Sequence, residues 1–557
     1  MKIQMKILPL ALFALSSSSF AQQPPGAGSQ LNQLRPPAEQ PRTGPRLLIE
    51  ESLAAVDPGT EGTRALVNEL RFTGASAFTE AELRTVTGFV PGTESTLAQL
   101  QAMAMRVTAH YRERGFFVAN AHLPAQDISD HVVTIAVSEG RHGDVILRNK
   151  SGLSDSLIHE VLGDHDTGEP ILIEPLESRL LRLSDLPGVN IRSTLAPGTA
   201  PGSSDLIIEV DPHRRVTGFI DADNAGNPYT GEYRLGGQLN LNNLAGRGDV
   251  ASLRLLTSGP GLKYGRASYQ TMLGRATVGA AYSWMEYELG KQFRPLGANG
   301  TARVTSLFGS IPLVRSRDTN LYTGLTLEHR EFEDRLDLFP AANRLADADV
   351  VSLSLHGDHR DGLFGGGANR FHLVLSGGRL DIRSPIPRAI DAMTARTNGD
   401  YAKLWMHGSR VQHVTDRLSL SAAITGQLAS KNLDPSEKLV LGGMDGVRGY
   451  PQGEGIGDEG VIASVEARLL LAQMSDHIPG QLHLVGFVDG GRITINKDPW
   501  FPGENRRTLR SAGVGLTWSE PANWLVRAYY ARALGSEEAI SAPHKSGRFW
   551  VQAIRYF

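Results

Sequence analysis

Downstream of about Val216, the chain alternates apolar and polar residues in short stretches, and this pattern limits its fold more than any other feature. Leu321, Thr323, Leu325 and Leu327 alternate with Tyr322, Gly324, Thr326 and Glu328. Val351, Leu353 and Leu355 alternate with Ser352, Ser354 and His356, and Val461, Ala463, Val465, Ala467 and Leu469 with Ile462, Ser464, Glu466 and Arg468. A period of two places each set on one face of a β-strand. About sixteen such stretches run to the C-terminus. Beyond the first residues, no apolar run approaches the roughly 18 residues that a membrane helix needs. Strands of this kind suit either a soluble sandwich or a barrel with one face to lipid and one to a polar lumen.

The connections favour the barrel. Links at 288–300, 331–346, 383–398, 441–457, 493–507 and 534–546 are long, and those between them, at 272–275, 314–318, 413–416 and 520–523, are short. Outer-membrane barrels sort their loops in this way, long outside and short in the periplasm, whereas a sandwich has no reason to. The chain closes on GRFWVQAIRYF, where Arg555 interrupts the lipid-facing set Phe549, Val551, Ala553 and Phe557. A long cation there snorkels to water at a membrane edge.

The first 211 residues differ in kind. Lys2, Lys6, an apolar 7–15 and Ser19-Phe20-Ala21 read as a signal peptide over 1–21. Pro, Gln and Gly make 22–64 a linker, with a possible two-turn helix at 27–34 before Pro36-Pro37. Two units of similar order, β-α-α-β-β, follow at 65–140 and 141–211. In the first, Thr79 to Glu82 carries a capping pattern. Leu97, Leu100, Ala104, Val107 and Tyr111 then share one helix face, Gly115 stops that helix, and 116–123 reads as a strand. In the second, Ile173, Leu176, Leu180 and Leu183 line the corresponding helix.

The near-zero net charge of −3 leaves no nucleic-acid footprint. With no cysteine there is no disulfide or thiolate metal site. His356, Asp358, His359 and Asp361 have metal-ligand types but read as a periplasmic turn, and Asp164-His165-Asp166 as a polar loop. No catalytic constellation emerges, and no cofactor is expected.

One connection stands apart. The segment 441–457, LGGMDGVRGYPQGEGIG, has seven glycines and a single arginine, and falls between the eleventh and twelfth expected strands. Val447, Arg448, Gly449 and Tyr450 match the VRGY loop of the two-partner secretion transporters, and Phe487, Asp489 and Gly491 match their F-x-D-x-G strand motif. YRERGFFVANAHLPAQ and VSEG in the first unit are similar to the POTRA modules of that family, and YTGEYRLGGQLNLNNLAGRGD resembles the start of its barrels. The chain therefore resembles a two-partner secretion transporter over nearly its whole mature length. The resemblance implies a 16-stranded antiparallel transmembrane β-barrel at 212–557 preceded by two periplasmic α+β POTRA domains. It also implies that 441–457 folds inward and that Arg448 reaches Asp489. Asp489 faces the lumen if Leu484, Gly486 and Val488 face lipid, and a guanidinium grips a carboxylate through two parallel hydrogen bonds.

The implied function is passive export of a large secreted exoprotein of the TpsA type from periplasm to cell surface, by a monomer set among outer-membrane lipids by the outer-membrane assembly machinery. Strand addition at Phe116, Phe117 and Val118 is the expected client contact. A BamA-like insertase shares the barrel loop motif but is best known with more POTRA units, and a porin leaves the N-terminal units unexplained.

Overall fold

The computed structural model describes residues 24–34, 46–49, 64–128, 130–163, 167–473, 479–543 and 545–557. The expected signal peptide and Asp164-His165-Asp166 lie outside them. The first helix, α1 (Ala27–Asn32), and a linker strand, β1 (Arg46–Ile49), precede the two α+β units.

The first unit contains β2 (Arg64–Val67), β3 (Glu69–Thr73), α2 (Glu80–Thr87), β4 (Thr93–Thr96), α3 (Leu97–Glu113), β5 (Asn120–His122) and β6 (Val132–Ser138). Thr79 caps α2 through its hydroxyl, and Thr96 and Gln99 close a capping box at α3. Leu100, Met103, Ala104, Val107 and Tyr111 are buried against β3 and β6. Leu97 stands 45% exposed instead of joining that face. As the first residue of α3 it precedes the contact, and Met103 supplies the missing apolar position.

The strand expected at 116–123 is shorter: only Asn120–His122 pairs, at the edge of the sheet β3-β6-β5. Phe116, Phe117 and Val118 lie in the turn before it. Phe116 packs on the core of its own unit, and Phe117 and Val118 on that of the second. They form an apolar hinge between the units, so they present no open strand edge.

The second unit adds β7 (Arg141–Asn149), α4 (Asp155–Leu162), α5 (Ile173–Ser184), β8 (Val189–Pro197) and β9 (Ser203–Pro212). Its sheet runs β1-β8-β9-β7, so the linker strand β1 pairs in parallel along the edge of β8. Between the units, Glu139 is buried and accepts from the Ser76 and Ala77 backbone N–H groups, from Ser76 Oγ and from Tyr111 Oη at 3.0 Å. Arg141 pairs with it at 3.3 Å.

The barrel closes from its first strand, Val216–Asp223, to its sixteenth, Arg548–Tyr556, through Phe219↔Tyr556 to Asp223↔Gln552. Leu325, Leu327, Val351, Leu353, Val461 and Val465 point outward, as the alternation requires. Arg555 reaches Asn523 in a periplasmic turn at 3.0 Å and lies over the Trp524 ring.

Two connections differ from expectation. The seventh strand continues to Leu336 and the eighth starts at Arg344, so most of 331–346 is a ribbon above the membrane. Its charged residues broke the apolar alternation, which marks lipid depth and not strand length. Likewise, His356 to Asp361 ends the eighth strand and is not a turn. Asp361 pairs with Arg410, and His356 stacks on Tyr322.

Burial on its own raises the Glu139 carboxyl, but hydrogen bonds from Ser76, Ala77 and Tyr111 outweigh it and hold the group below its ordinary value. A depressed carboxylate contributes stability above its unfolded pKa of about 4.3, and that stability is lost as pH falls through the folded value. Glu139→Gln is expected to weaken the junction by about 1–3 kcal/mol at neutral pH and to flatten its acid limb. Hydrogen exchange at 76–77 and 139–141 in the full chain measures this, and protection equal to wild type would refute it.

Candidate functional site

Sixteen strands enclose a lumen wide enough to need filling. The connection between the eleventh strand (Leu418–Ala429) and the twelfth (Glu459–Gln473) turns into it. Leu439, Leu441, Val447 and Tyr450 are buried together against Ile493 and Leu509 of the wall. The glycines permit the close approach: a Cβ on Gly449 would stand 2.7 Å from Ser511 Cβ and 2.8 Å from the Ala533 nitrogen. On the thirteenth strand (Gln481–Thr494), a Cβ on Gly491 would meet Leu441 at 2.8 Å. Gly443 sits at φ +132°, a region that side chains avoid.

Along the thirteenth strand, Val485, Phe487 and Asp489 face inward while Leu484 and Val488 are exposed to lipid. Arg448 donates Nη2 to Asp489 Oδ1 at 2.6 Å and Nε to Oδ2 at 2.9 Å. Its backbone N–H adds a third bond to Oδ2 at 3.1 Å. On the twelfth strand, Glu466 takes Arg448 Nη1 at 2.7 Å and Ser464 takes Nη2 at 3.1 Å.

Ser464 and Ser511 both donate to Asp489, at 2.8 and 3.0 Å. The Arg448 guanidinium also lies 3.4 Å above the Phe487 ring and 5.3 Å from that of Tyr529. Trp550 on the sixteenth strand donates to the Arg448 carbonyl at 2.7 Å. The Arg448–Asp489 pair thus gathers five consecutive strands, twelve to sixteen, the fourteenth through Ser511 on Asp489. Tyr450 donates to the Glu537 carbonyl of an outer loop at 2.9 Å.

Ser464, Glu466, Ser511 and Trp550 were not singled out from sequence. The alternation does place Ser464 and Glu466 on the inward face, and that parity was the available signal.

A second anchorage holds the outer half of the lumen. Glu437 accepts from Arg330, from Lys403 at 2.6 Å and from Tyr401 at 2.9 Å. Asp434 pairs with Arg344, and Asp458 with Lys438 at 2.9 Å. Beside this network lies α1. Its Ala27 N–H donates to Asp334 Oδ1 at 2.6 Å, and Asp334 also takes Tyr287 Oη at 2.8 Å. Asn32 donates to the Lys438 carbonyl at 2.6 Å, Asn227 to Gln33 at 3.0 Å, and Thr230 to Gln30 at 3.1 Å. A Cβ on Gly28 would meet Ser436 Cβ at 2.8 Å, so α1 seats directly against the inward loop.

Phe116, Phe117 and Val118 lie in the periplasmic hinge, apart from this site. Among the described residues, one cluster of metal-ligand types lies on the strand ribbon, with His329 exposed and Glu331 and Asp347 half-buried.

The family model described as haemolysin secretion/activation protein ShlB/FhaC/HecB matches residues 202–518, and the ShlB-type POTRA domain model matches 65–140. The heme/hemopexin transporter protein HuxB of Haemophilus influenzae is 27% identical over 84% of this chain and 82% of its own length. The outer membrane transporter CdiB of Dickeya dadantii is 24% identical over 86% and 84%. The solved structure of CdiB from Escherichia coli superposes with a TM-score of 0.67 at 22% identity, covering 90% of this chain and 92% of that one.

Removing one partner from a buried charge pair costs about 3–5 kcal/mol, because the other is left uncompensated. Arg448→Ala is expected to raise hydrogen exchange across 443–452 to that extent. Arg448→Lys is expected to recover little of it, since an ammonium cannot fork onto Asp489 or stack on Phe487. The double variant with Asp489→Ala is expected to lose less than the sum of the singles, and strict additivity would argue against a shared interaction.

Proposed function

The chain belongs to the haemolysin secretion/activation protein family, and from that membership we propose that its own lumen is the export path, closed at rest by α1 and the inward loop. It is an outer-membrane two-partner secretion transporter with its N-terminal units in the periplasm, and it exports a partner exoprotein to the cell surface. The observation that carries the resting-state reading is α1 inside the barrel, its first N–H on Asp334 and its side chains on Asn227, Thr230 and the Lys438 carbonyl.

Client enters unfolded from the periplasm and docks on the POTRA units. The expected strand addition at Phe116, Phe117 and Val118 gives way to the sheet edges nearby, since those side chains pack into the hinge. The β8 edge already carries β1 as an added parallel strand. A client strand taking that edge would displace β1, which begins 14 residues after the end of α1 in the chain. Docking and unplugging are coupled in this way. Folding outside the cell supplies direction without nucleotide hydrolysis. A plain porin accounts neither for the POTRA units nor for a lumen filled by α1 and the loop.

Deleting 27–32, or Asp334→Ala, is expected to increase pore conductance in planar bilayers severalfold while export of the partner continues. Conductance equal to wild type in both variants would remove α1 as the plug. Arg448→Ala is expected to cut export strongly while the barrel stays inserted and heat-modifiable, and normal export would remove the loop from the mechanism.

A further inference from the structure

At the periplasmic rim, α5 lies over the link between the sixth (Ala298–Arg315) and seventh (Thr319–Leu336) barrel strands. Two ion pairs tie them. Arg315 donates Nε and Nη2 to Asp185 at 2.7 and 2.9 Å, and Arg317 pairs with Glu177. Beside these ties opens a cleft of about 480 Å³ lined by Glu174, Ser178 and Arg182 of α5, Arg275 of the turn after the fourth strand, and Ser316.

Arg182 Nε is shut off from solvent and has no hydrogen-bond partner among the described residues. Burial, and then the like charges of Arg275 and Arg179, push its guanidinium below the ordinary value. The carboxylates of the cleft, Glu174, Asp318 and the Arg317-paired Glu177, leave Arg182 Nε without a bond. A buried guanidinium crowded by like charge is costly, and an anion seated against it removes that cost.

The surroundings indicate where the anion comes from. Leu273 and Leu313, 64% and 52% exposed, belong to the strands flanking the cleft and mark where lipid-facing surface ends. The phosphodiesters of the periplasmic leaflet lie at that depth. Glu174, in the cleft lining, offers a carboxylate to a cationic headgroup.

We propose that this cleft binds the headgroup of a periplasmic-leaflet phospholipid, its phosphodiester on Arg182 and Arg275 and, in an ethanolamine lipid, its ammonium on Glu174. Guanidinium forks match phosphate oxygens in geometry and charge. The bound lipid is a third tie between the second POTRA unit and the barrel, beside Asp185–Arg315 and Glu177–Arg317, and it makes the seating of that unit sensitive to the leaflet beneath it.

The test uses the full chain in nanodiscs of phosphatidylethanolamine, phosphatidylglycerol or phosphatidylcholine, followed by native mass spectrometry after release into detergent, with and without inorganic phosphate. Wild type is expected to keep a phospholipid, and Arg182→Gln with Arg275→Gln to keep roughly tenfold less, the scale of one lost charge-assisted hydrogen bond. Glu174→Gln is expected to remove any preference for ethanolamine over glycerol headgroups. Heat-modifiability checks that each variant barrel is folded. If the double variant fails that check, a photoreactive headgroup on wild type replaces it, and labelling away from 174–182 and 275 overturns the proposal. No retained lipid on wild type, equal retention by a folded double variant, or displacement of the lipid by inorganic phosphate also overturns it, the last by showing a soluble-anion site.

Discussion

Hydrocarbon offers no hydrogen-bond partner, so every backbone N–H and C=O at that depth must be satisfied within the protein. A sheet meets this only by closing, and the first strand accordingly pairs with the sixteenth. Closure at sixteen strands also creates a wide polar interior. Here that interior is filled with charge pairs: Arg254–Asp221, Arg234–Asp223, Lys403–Glu437 and Arg448–Asp489 all lie inside the wall or between wall and loop. In such surroundings an unpaired ion is expensive and a paired one fixes geometry. The backbone constraint that makes the barrel thus also explains why its contents are ionic.

The wall was legible because its period is two and its outer face is aliphatic. That signal stops where lipid stops. It missed the ribbon from Glu331 to Asp347, whose charged residues interrupt the aliphatic run while Phe332 and Ala346 stay buried against α1 on the inward face. It also misassigned His356 to Asp361, whose turn-like composition sits on a paired strand. In the periplasmic units, a capping pattern located α2 and apolar spacing located α3 and α5, but neither could tell a short strand from a packed turn. Phe116-Phe117-Val118 has strand composition, yet its side chains are taken by the cores of two units.

At the site, the motif letters pointed to Arg448 and Asp489, and parity pointed Asp489 inward. What the letters did not carry was the rest of the cage. Ser511, Tyr529 and Trp550 meet Arg448 or Asp489 from strands distant in sequence, and only barrel closure brings them there. Glu139 was hidden in the same way, its partners Ser76 and Tyr111 lying 63 and 28 residues away. Sequence patterns report faces of elements, whereas these contacts depend on how closed sheets and paired units bring the faces together.

The two lumenal obstructions are held with very different strength. A six-residue helix is too short to be stable alone in water, so α1 exists because the wall holds it. Apart from the bond to Asp334, its polar anchors are neutral amide and hydroxyl hydrogen bonds, each contributing about 0.5–1.5 kcal/mol, and Ala27, Leu31 and Leu34 pack on the apolar cluster around Phe332. The loop instead rests on a buried forked ion pair, stacked on an aromatic ring and surrounded by further donors. Breaking that contact exposes an uncompensated charge in the wall, whereas withdrawing α1 leaves polar groups that water can satisfy. The proposed export path therefore implies an order of release, the helix before the loop, with the loop staying on Asp489 until something replaces the guanidinium.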